Sequence, residues 1–318
     1  MLVAPFVHTL YGALCSNVFV VWRQTMGTMQ ADMTKVGNVA PEILEGGHAT
    51  MMSDVYSFGT LCCHVLTRTP PWEGVNTATV IRKVLKGEQP PIPDAVAHSG
   101  EPELPELLAL TRDCLILTPE KRPTFFDIVR RLEPLVRVLA PLPASPTPAK
   151  SHSDVVERLA IREENIDFYE PEPFAKGTFG ACYRALYERT VVAAKVIDLT
   201  SLDAALLPKI KSDFMNEIML MAELRSSNIV HVIGLLIRPQ ELVIVMEYLP
   251  GGTLRSRLDS QSASLPLSDQ VETLLDIAYG MRYVQERREQ ERRVQERRVQ
   301  ERRERRKTSM PHLRPLAL

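Results

Sequence analysis

The 318 residues carry 38 Lys and Arg against 39 Asp and Glu, with 45% hydrophobic and 24% charged residues. This balance is ordinary for a soluble globular chain and excludes collagen-like, fibrous and wholly disordered classes. The length predicts about two domains. A formal net charge of -1 excludes a global basic field that would attract nucleic acid.

Cysteine usage indicates the compartment. The five cysteines are odd in number, and none has the C-x-x-C spacing of a zinc site or belongs to a recognisable disulfide framework. They are Cys15, Cys62, Cys63, Cys114 and Cys182. We therefore expect a reducing, cytoplasmic location.

The first 22 residues are apolar, which raises a signal peptide or membrane helix as an alternative. The segment lacks a positively charged start and contains Pro5, His8 and Asn17. A membrane role is therefore not favoured, although attachment through residues 1–22 stays open.

The N-terminal half has the periodicity of helices. Apolar positions recur at helical spacing over 53–66, 77–86, 104–117 and 124–139, and Gly or Pro bounds each segment. Residues 38–139 are accordingly predicted to be all-helical. Four prolines then follow within 140–153, a composition typical of an extended linker.

The C-terminal half begins with strands. Residues 166–199 alternate like paired strands around a glycine turn, and a helix is predicted over 209–225. Strand character returns at 230–237 and 242–248, before an amphipathic helix over 268–284.

The tail from Val284 repeats a five-residue unit, VQERR, EQERR, VQERR, VQERR. Residues 285–307 hold ten Arg and one Lys against six Glu, a local net charge of +5. A period of five advances about 140° beyond a full helical turn, so the valines form no stripe. We expect a solvated, partly helical extension. An RNA-binding or acidic-partner arm is less favoured, because no aromatic residues interleave for base stacking.

Glycine-containing segments and two charged residues follow one another along the second half of the chain. Ala175-Lys-Gly-Thr-Phe-Gly180 precedes Val191-Val-Ala-Ala-Lys195, Glu217 and Ile244-Val-Met-Glu-Tyr-Leu-Pro-Gly-Gly252. Glycine lets backbone N–H groups approach phosphates closely, and a fixed cation suits the densest charge of a triphosphate. Burying Lys195 alone is costly, so a carboxylate on the next helix, Glu217, is its natural partner.

This order resembles the small lobe of a eukaryotic protein kinase over about residues 165–284. The resemblance implies that Cys182 and Ala193 cover the adenine, that Met246 is the gatekeeper, and that Glu247 and Leu249 offer backbone groups to the adenine edge. Ala175 replaces the family's first glycine and Cys182 its usual valine, so we expect weak ATP binding. The implied set is Ala175, Gly177, Gly180, Cys182, Ala193, Lys195, Glu217, Met246, Glu247 and Leu249.

The first half resembles the back part of a kinase large lobe. Its motifs are Val36-Gly-Asn-Val-Ala-Pro-Glu-Ile-Leu44, Ser53-Asp-Val-Tyr-Ser-Phe-Gly59, Pro70-Pro-Trp72 and Cys114-Leu-Ile-Leu-Thr-Pro-Glu-Lys-Arg-Pro-Thr-Phe125. Both halves are most similar to tyrosine-kinase-like serine/threonine kinases. The resemblance implies a buried bridge between Glu42 and Arg122. It also implies that Asp54 anchors backbone near the catalytic loop.

The catalytic motifs of that family do not occur in these residues. H-R-D-x-x-x-x-N and D-F-G would supply the base and the Mg²⁺ ligands, and the 318 residues contain neither. His312-Leu-Arg-Pro-Leu-Ala-Leu318 echoes the first motif without its Asp and Asn. We therefore assign no catalytic residue and no metal ligand.

The sequence predicts an α+β, protein-kinase-like fold, with a helical large-lobe remainder in the N-terminal half and a small β-rich lobe in the C-terminal half. Two arrangements stay open: two truncated kinase domains in tandem, as a fragmentary gene model would give, or one permuted kinase body. In the second, the helix over 268–284 packs against the helix beginning near Ser53. The predicted domains are 1–37 (apolar leader and activation-segment remnant), 38–139, 140–153 (linker), 154–284 and 285–318 (Arg/Glu tail).

Three functional classes compete: a protein kinase with ATP affinity, an inactive pseudokinase scaffold, and an interaction protein acting through its tail. The expected partners are an adenine nucleotide and other proteins, with no specific nucleic acid.

Overall fold

The computed structural model describes residues 33–97, 100–139, 159–177, 180–200, 218, 221–222, 224, 226–259 and 265–308. Residues 1–32 of the predicted leader, the proline-rich linker, Glu217 and the echo at 312–318 lie outside these ranges. The division into five domains stays a prediction.

The described N-terminal half is helical, as the periodicity predicts. Its helices are α1 (Pro41–Leu44), α2 (Met51–Thr67), α3 (Thr77–Leu85), α4 (Asp94–Ala97), α5 (Leu104–Cys114) and α6 (Phe125–Leu139). The long helix α2 begins with a capping box, in which the Thr50 hydroxyl accepts from the Ser53 N–H and the Ser53 side chain accepts from the Thr50 N–H. A 3-10 helix, Met33–Asn38, precedes α1, and a 3-10 turn, Pro119–Lys121, lies between α5 and α6.

The C-terminal half contains one antiparallel sheet. Its strands are β1 (Ile166–Asp167), β2 (Ala175–Gly177), β3 (Gly180–Tyr187), β4 (Thr190–Asp198), β5 (Val232–Ile237) and β6 (Glu241–Glu247). Their order is β1-β3-β4-β6-β5, and β2 also pairs with β3. One helical turn, Glu163–Asn165, precedes β1. The α+β class is therefore confirmed.

Two helices follow the sheet, α7 (Leu254–Asp259) and α8 (Leu267–Thr308). Sequence patterns did not predict α7, although Thr253 caps it by accepting from the Ser256 N–H at 3.0 Å. The 42 residues of α8 extend well beyond the predicted end at 284. The tail is thus not merely partly helical, since the described part of the repeat is helical throughout.

The two halves share one hydrophobic core. Leu274 and Ala278 of α8 are buried in the same cluster as Val55 and Phe58 of α2, and the two helices are in contact. Helix α8 also packs along α6, where the Tyr279 hydroxyl donates to Glu133 Oε1 at 2.7 Å. The expected docking of the two halves is therefore present, which favours one permuted body over two separate pieces.

A second contact joins the sheet-bearing segment to α8. Asn228, just before β5, donates through Nδ2 to Asp276 Oδ1 at 2.9 Å. Burial raises the pKa of Asp276 to about 6, helped by the charge of Glu272 and opposed by this hydrogen bond. Within the described residues, no helix is long and apolar enough to cross a membrane.

We predict that Leu274→Ala destabilises the N-terminal half as well as its own helix. Leu274 is fully buried, and removing a buried leucine side chain costs about 2–5 kcal/mol. Both tryptophans, Trp22 and Trp72, lie in the N-terminal half, so their fluorescence reports on that half. The measurement is urea unfolding followed by tryptophan fluorescence and, separately, by far-UV circular dichroism.

The matched control is Val294→Ala on the same helix, where the valine is 42% exposed. Its effect is expected to stay within about 0.5 kcal/mol. A Leu274→Ala variant whose fluorescence midpoint equals that of the parent chain would show that the halves unfold independently.

Candidate functional site

The glycine turn of the sequence forms a hairpin between β2 and β3. Gly177 pairs with Gly180, whose φ of 136° lies where side chains are disfavoured. A Cβ on Gly180 would lie 2.0 Å from the Val196 carbonyl oxygen of β4. Glycine is therefore required for the hairpin to lie this close to the neighbouring strand.

The sheet register brings five predicted site residues onto one face. Cys182 lies opposite both Ala175 and Lys195, and Ala193 lies opposite Met246. Side chains two apart on a strand share a face, so Ala193 and Lys195 belong together. Cys182, Ala193 and Met246 are buried, and Lys195 is half-buried. The result is an apolar surface with one cation beside the glycine hairpin.

The same face is covered by a helical segment. Ile218 and Ala222 are helical and buried in one cluster with Ile244 and Met246. Glu217 immediately precedes this segment but lies outside the described residues. Its pairing with Lys195 stays a prediction.

Two hydrogen bonds join the end of β6 to the segment before β5. The Glu247 N–H donates to the His231 carbonyl at 3.1 Å, and Glu247 Oε1 accepts from the His231 N–H at 2.7 Å. The carboxylate of Glu247 is thus used within the fold. Leu249, two residues further on, is half-buried. The offer of backbone groups from Glu247 and Leu249 to an adenine stays a prediction.

Aromatic residues that the sequence analysis missed lie next to this region. The Phe174 and Tyr248 rings pack edge to face at 5.7 Å between centroids. The Arg184 guanidinium lies 5.6 Å from the Tyr248 ring centroid. These contacts join the start of the glycine hairpin to the segment after β6. The position of Phe174, directly before Ala175, was the signal available in the sequence.

Glu42 and Arg122 form the expected bidentate bridge. Arg122 Nη1 donates to Glu42 Oε1 at 2.8 Å and Nη2 donates to Oε2 at 2.9 Å. The guanidinium also donates to the carbonyls of Ile116, Met52 and Leu117, and it lies 5.1 Å from the Tyr56 ring centroid. Burial acts to raise the pKa of Glu42, but hydrogen bonds from Arg122 and Ser53 outweigh it and leave the pKa below its usual value.

Asp54 lies buried in the first turn of α2. Burial raises its pKa to about 7, against the opposing effect of the positive charge of Arg288 on α8. Oδ1 accepts no hydrogen bond from any residue that the structure describes. The anchoring role that the resemblance implies stays a prediction.

No group of three or more His, Cys, Asp or Glu is arranged to hold a metal ion within the described ranges. Whether Mg²⁺ ligands are missing from the chain as a whole therefore remains a prediction from its sequence.

The family model for protein tyrosine and serine/threonine kinases matches residues 20–132 and 170–299. The two matched stretches together cover most of the chain and include both halves of the structure. The chain therefore belongs to this kinase family, and its motifs and relatives place it in the tyrosine-kinase-like group.

Curated relatives are similar over part of their length. The chain is 35% identical over 127 residues to the probable serine/threonine-protein kinase roco6 of Dictyostelium discoideum, covering 37% of this chain and 5% of that protein. It is 36% identical over 124 residues to the serine/threonine-protein kinase VIK of Arabidopsis thaliana, covering 39% and 27%. It is 33% identical over 126 residues to the dual specificity protein kinase shkC of Dictyostelium discoideum, covering 40% and 24%. The chain thus spans at most about a quarter of these proteins.

We predict that Arg122→Lys destabilises the chain by about 3 kcal/mol, although it keeps the charge. An ammonium cannot make the two parallel bonds to Glu42 while also serving three carbonyls, so buried acceptors lose their donors. The measurement is the free energy of unfolding in urea at neutral pH.

Arg130→Lys is the control, because the Arg130 side chain is 72% exposed and its ion pair with Asp127 contributes little. Equal effects of the two substitutions would contradict a structural role for the bidentate bridge.

Proposed function

We propose that this chain is a non-catalytic, kinase-fold protein that binds an adenine nucleotide weakly and serves as a scaffold for other proteins. The observation that carries the proposal is the shared sheet face on which Lys195, Cys182 and Ala193 lie beside the Gly177–Gly180 hairpin. The apolar surface suits the flat base of a nucleotide. The lysine cation and the backbone of the glycine hairpin suit its charged phosphates.

Weak affinity is expected from the two departures in the site. Ala175 adds a methyl group where the family has its first glycine, and Cys182 replaces a valine that would fill the adenine cover. Lys195 would contact the phosphates, as the resemblance implies, with Glu217 orienting its ammonium. Binding would depend little on Mg²⁺, because the family's two metal-binding motifs do not occur in these 318 residues.

We expect no phosphoryl transfer, because the same two motifs do not occur in these 318 residues. Catalysis of this reaction consists of positioning the nucleophile and stabilising charge with metal ions, and the groups that do both belong to the H-R-D and D-F-G motifs. The alternative is that these residues are a fragment of a tandem kinase whose catalytic loop is encoded elsewhere. Transcript sequence around codons 1–40 and 284–318 distinguishes the two.

A cytoplasmic location also stays our proposal. It is supported by Cys62, Cys63 and Cys114, which are buried and form no disulfide with a described residue.

We predict that ATP and ADP raise the melting temperature of the purified chain equally well with Mg²⁺ and with EDTA. Lys195→Met should weaken the apparent affinity about tenfold or more, because a hydrogen bond to a charged group is worth about 1.5–3 kcal/mol. Lys121→Met, which removes an exposed lysine beside α6, is the control and should leave the titration unchanged. Strict dependence on Mg²⁺ would mean that metal ligands exist which the sequence analysis did not identify.

We also predict that the purified chain transfers no labelled phosphate to itself or to a generic protein substrate. Any residual incorporation should be the same in the parent chain and in Lys195→Met, as expected for a contaminating kinase. Incorporation that falls in Lys195→Met but persists in Lys121→Met would establish catalysis by this chain and overturn the non-catalytic assignment.

A further inference from the structure

Arg184 and Tyr248 lie on the same sheet face as Lys195. Residues that pair across neighbouring strands share a face, and Arg184 pairs with Ala193, which pairs with Met246. Ala193 is two residues from Lys195 on β4, so all four side chains belong to one face. The Arg184 guanidinium lies 5.6 Å from the Tyr248 ring centroid, which places this ring on that face as well. The apolar surface of the candidate site thus has Lys195 at one end and an aromatic ring with its own cation at the other.

The rings of Phe174 and Tyr248 meet across two strands. Phe174 directly precedes β2 and Tyr248 directly follows β6, and β3 and β4 lie between these strands. Neighbouring strands lie about 4.8 Å apart, so β2 and β6 would be about 14 Å apart in a flat sheet. The two ring centroids are nevertheless only 5.7 Å apart, at an interplanar angle of 78°. The side chains therefore reach toward each other over the face that β3 and β4 present.

The backbone connects Phe174 to the glycine hairpin. The Phe174 N–H donates to the Cys182 carbonyl at 2.9 Å, and the next residue, Ala175, begins β2. Movement of the hairpin away from the face would therefore pull the Phe174 ring from Tyr248. The Tyr248 ring is held in turn by Arg184, whose Nε lies 3.1 Å from Glu170 Oε2. Edge-to-face and cation–π contacts each add stability beyond the burial of apolar area.

We propose that Phe174 and Tyr248 form a clasp that holds the glycine hairpin closed over the apolar face. Both are positioning residues for the site, because they act through the hairpin. Phe174 is 38% exposed, so its ring can leave the contact without opening the core of the sheet. A planar base on the face is retained while the clasp is closed and exchanges with solvent when it opens. This ligand rests on the proposed function, whereas the clasp itself is a contact of the ligand-free chain.

The first test measures hydrogen exchange of segment 174–182 in the ligand-free full chain. Tyr248→Leu should speed this exchange about fivefold, the factor that corresponds to the loss of one aromatic contact. Tyr248→Phe keeps the ring and should exchange like the parent chain. Exchange in Tyr248→Leu equal to that of the parent chain would overturn the proposal.

Phe168→Leu is the matched control. The Phe168 ring packs edge to face on Tyr183 at 6.1 Å between centroids and lies 5.3 Å from the Arg238 guanidinium, but it belongs to the apolar cluster on the opposite sheet face. The control removes an equivalent aromatic contact outside the clasp and should speed exchange of segment 174–182 by no more than about twofold. An increase as large as that in Tyr248→Leu would show a general loss of sheet stability and would contradict the clasp.

The second test measures the dissociation of fluorescent N-methylanthraniloyl-ADP by stopped flow. Tyr248→Leu should raise the dissociation rate constant about fivefold, and Tyr248→Phe and Phe168→Leu should match the parent chain. An unchanged rate constant in Tyr248→Leu would overturn control of ligand exchange by the clasp. If the parent chain binds no nucleotide, the proposed function fails, and the exchange of segment 174–182 without ligand still decides whether the clasp exists.

Discussion

The burial of one face of α8 against α2 and α6 is the interaction on which the arrangement of this chain depends. Leu274 and Ala278 are fully buried, and they meet residues that lie more than 200 positions earlier. An isolated α8 would expose this apolar stripe, and an isolated N-terminal half would expose the matching faces of α2 and α6. Burial of apolar surface contributes about 25 cal/mol per Å² to the free energy of packing, so docking stabilises both halves. The chain order of the halves is therefore of little consequence for the packing.

The capped start of α2 connects this core to the polar bridge of the helical half. Ser53 serves the capping box and also donates to Glu42 Oε1 at 2.8 Å, so the cap and the Glu42–Arg122 bridge share an atom. Arg122 holds the turn before α6 through the carbonyls of Ile116 and Leu117. Such a network is effective because every donor of the guanidinium fork has a matched acceptor. A buried arginine with fewer partners would destabilise the fold instead.

The sequence predicted well those features that depend on local periodicity and on residue order. Helices α2, α3 and α6 and strands β3 to β6 coincide with apolar patterns of period 3.6 or 2, because each has one face in the core. The sharing of one sheet face by Cys182, Ala193 and Lys195 follows from the register of β3 and β4, whereas the sequence grouped these residues only through the resemblance. The pairing of Glu42 with Arg122 came from the resemblance, since 80 residues separate the two.

Helix α7 was not predicted because its six residues are too few for a clear periodic signal. The other features that the sequence did not predict depend on contacts between distant segments. The Phe174–Tyr248 pair requires two segments 74 residues apart to meet at the end of the sheet. The link from Asn228 to Asp276 similarly depends on how the sheet lies on α8. None of these pairs is marked by spacing along the chain.

The Arg/Glu repeat illustrates the limit of local reasoning most clearly. Its five-residue period distributes valine around the helix, so pattern analysis predicts a solvated extension. Ion pairs at i,i+3 and i,i+4, such as Glu289 with Arg292 and Arg293, do support the exposed part of α8, although each is worth only a few tenths of a kcal/mol. Residues 284–288 have the same sequence as residues 294–298 but are mostly half-buried. The apolar turns that precede them in α8 pack in the core and place them beside the start of α2. Helix continuity therefore brings a segment with no apolar face of its own to the start of α2, where Gln285 Nε2 lies 3.5 Å from the Met51 carbonyl oxygen.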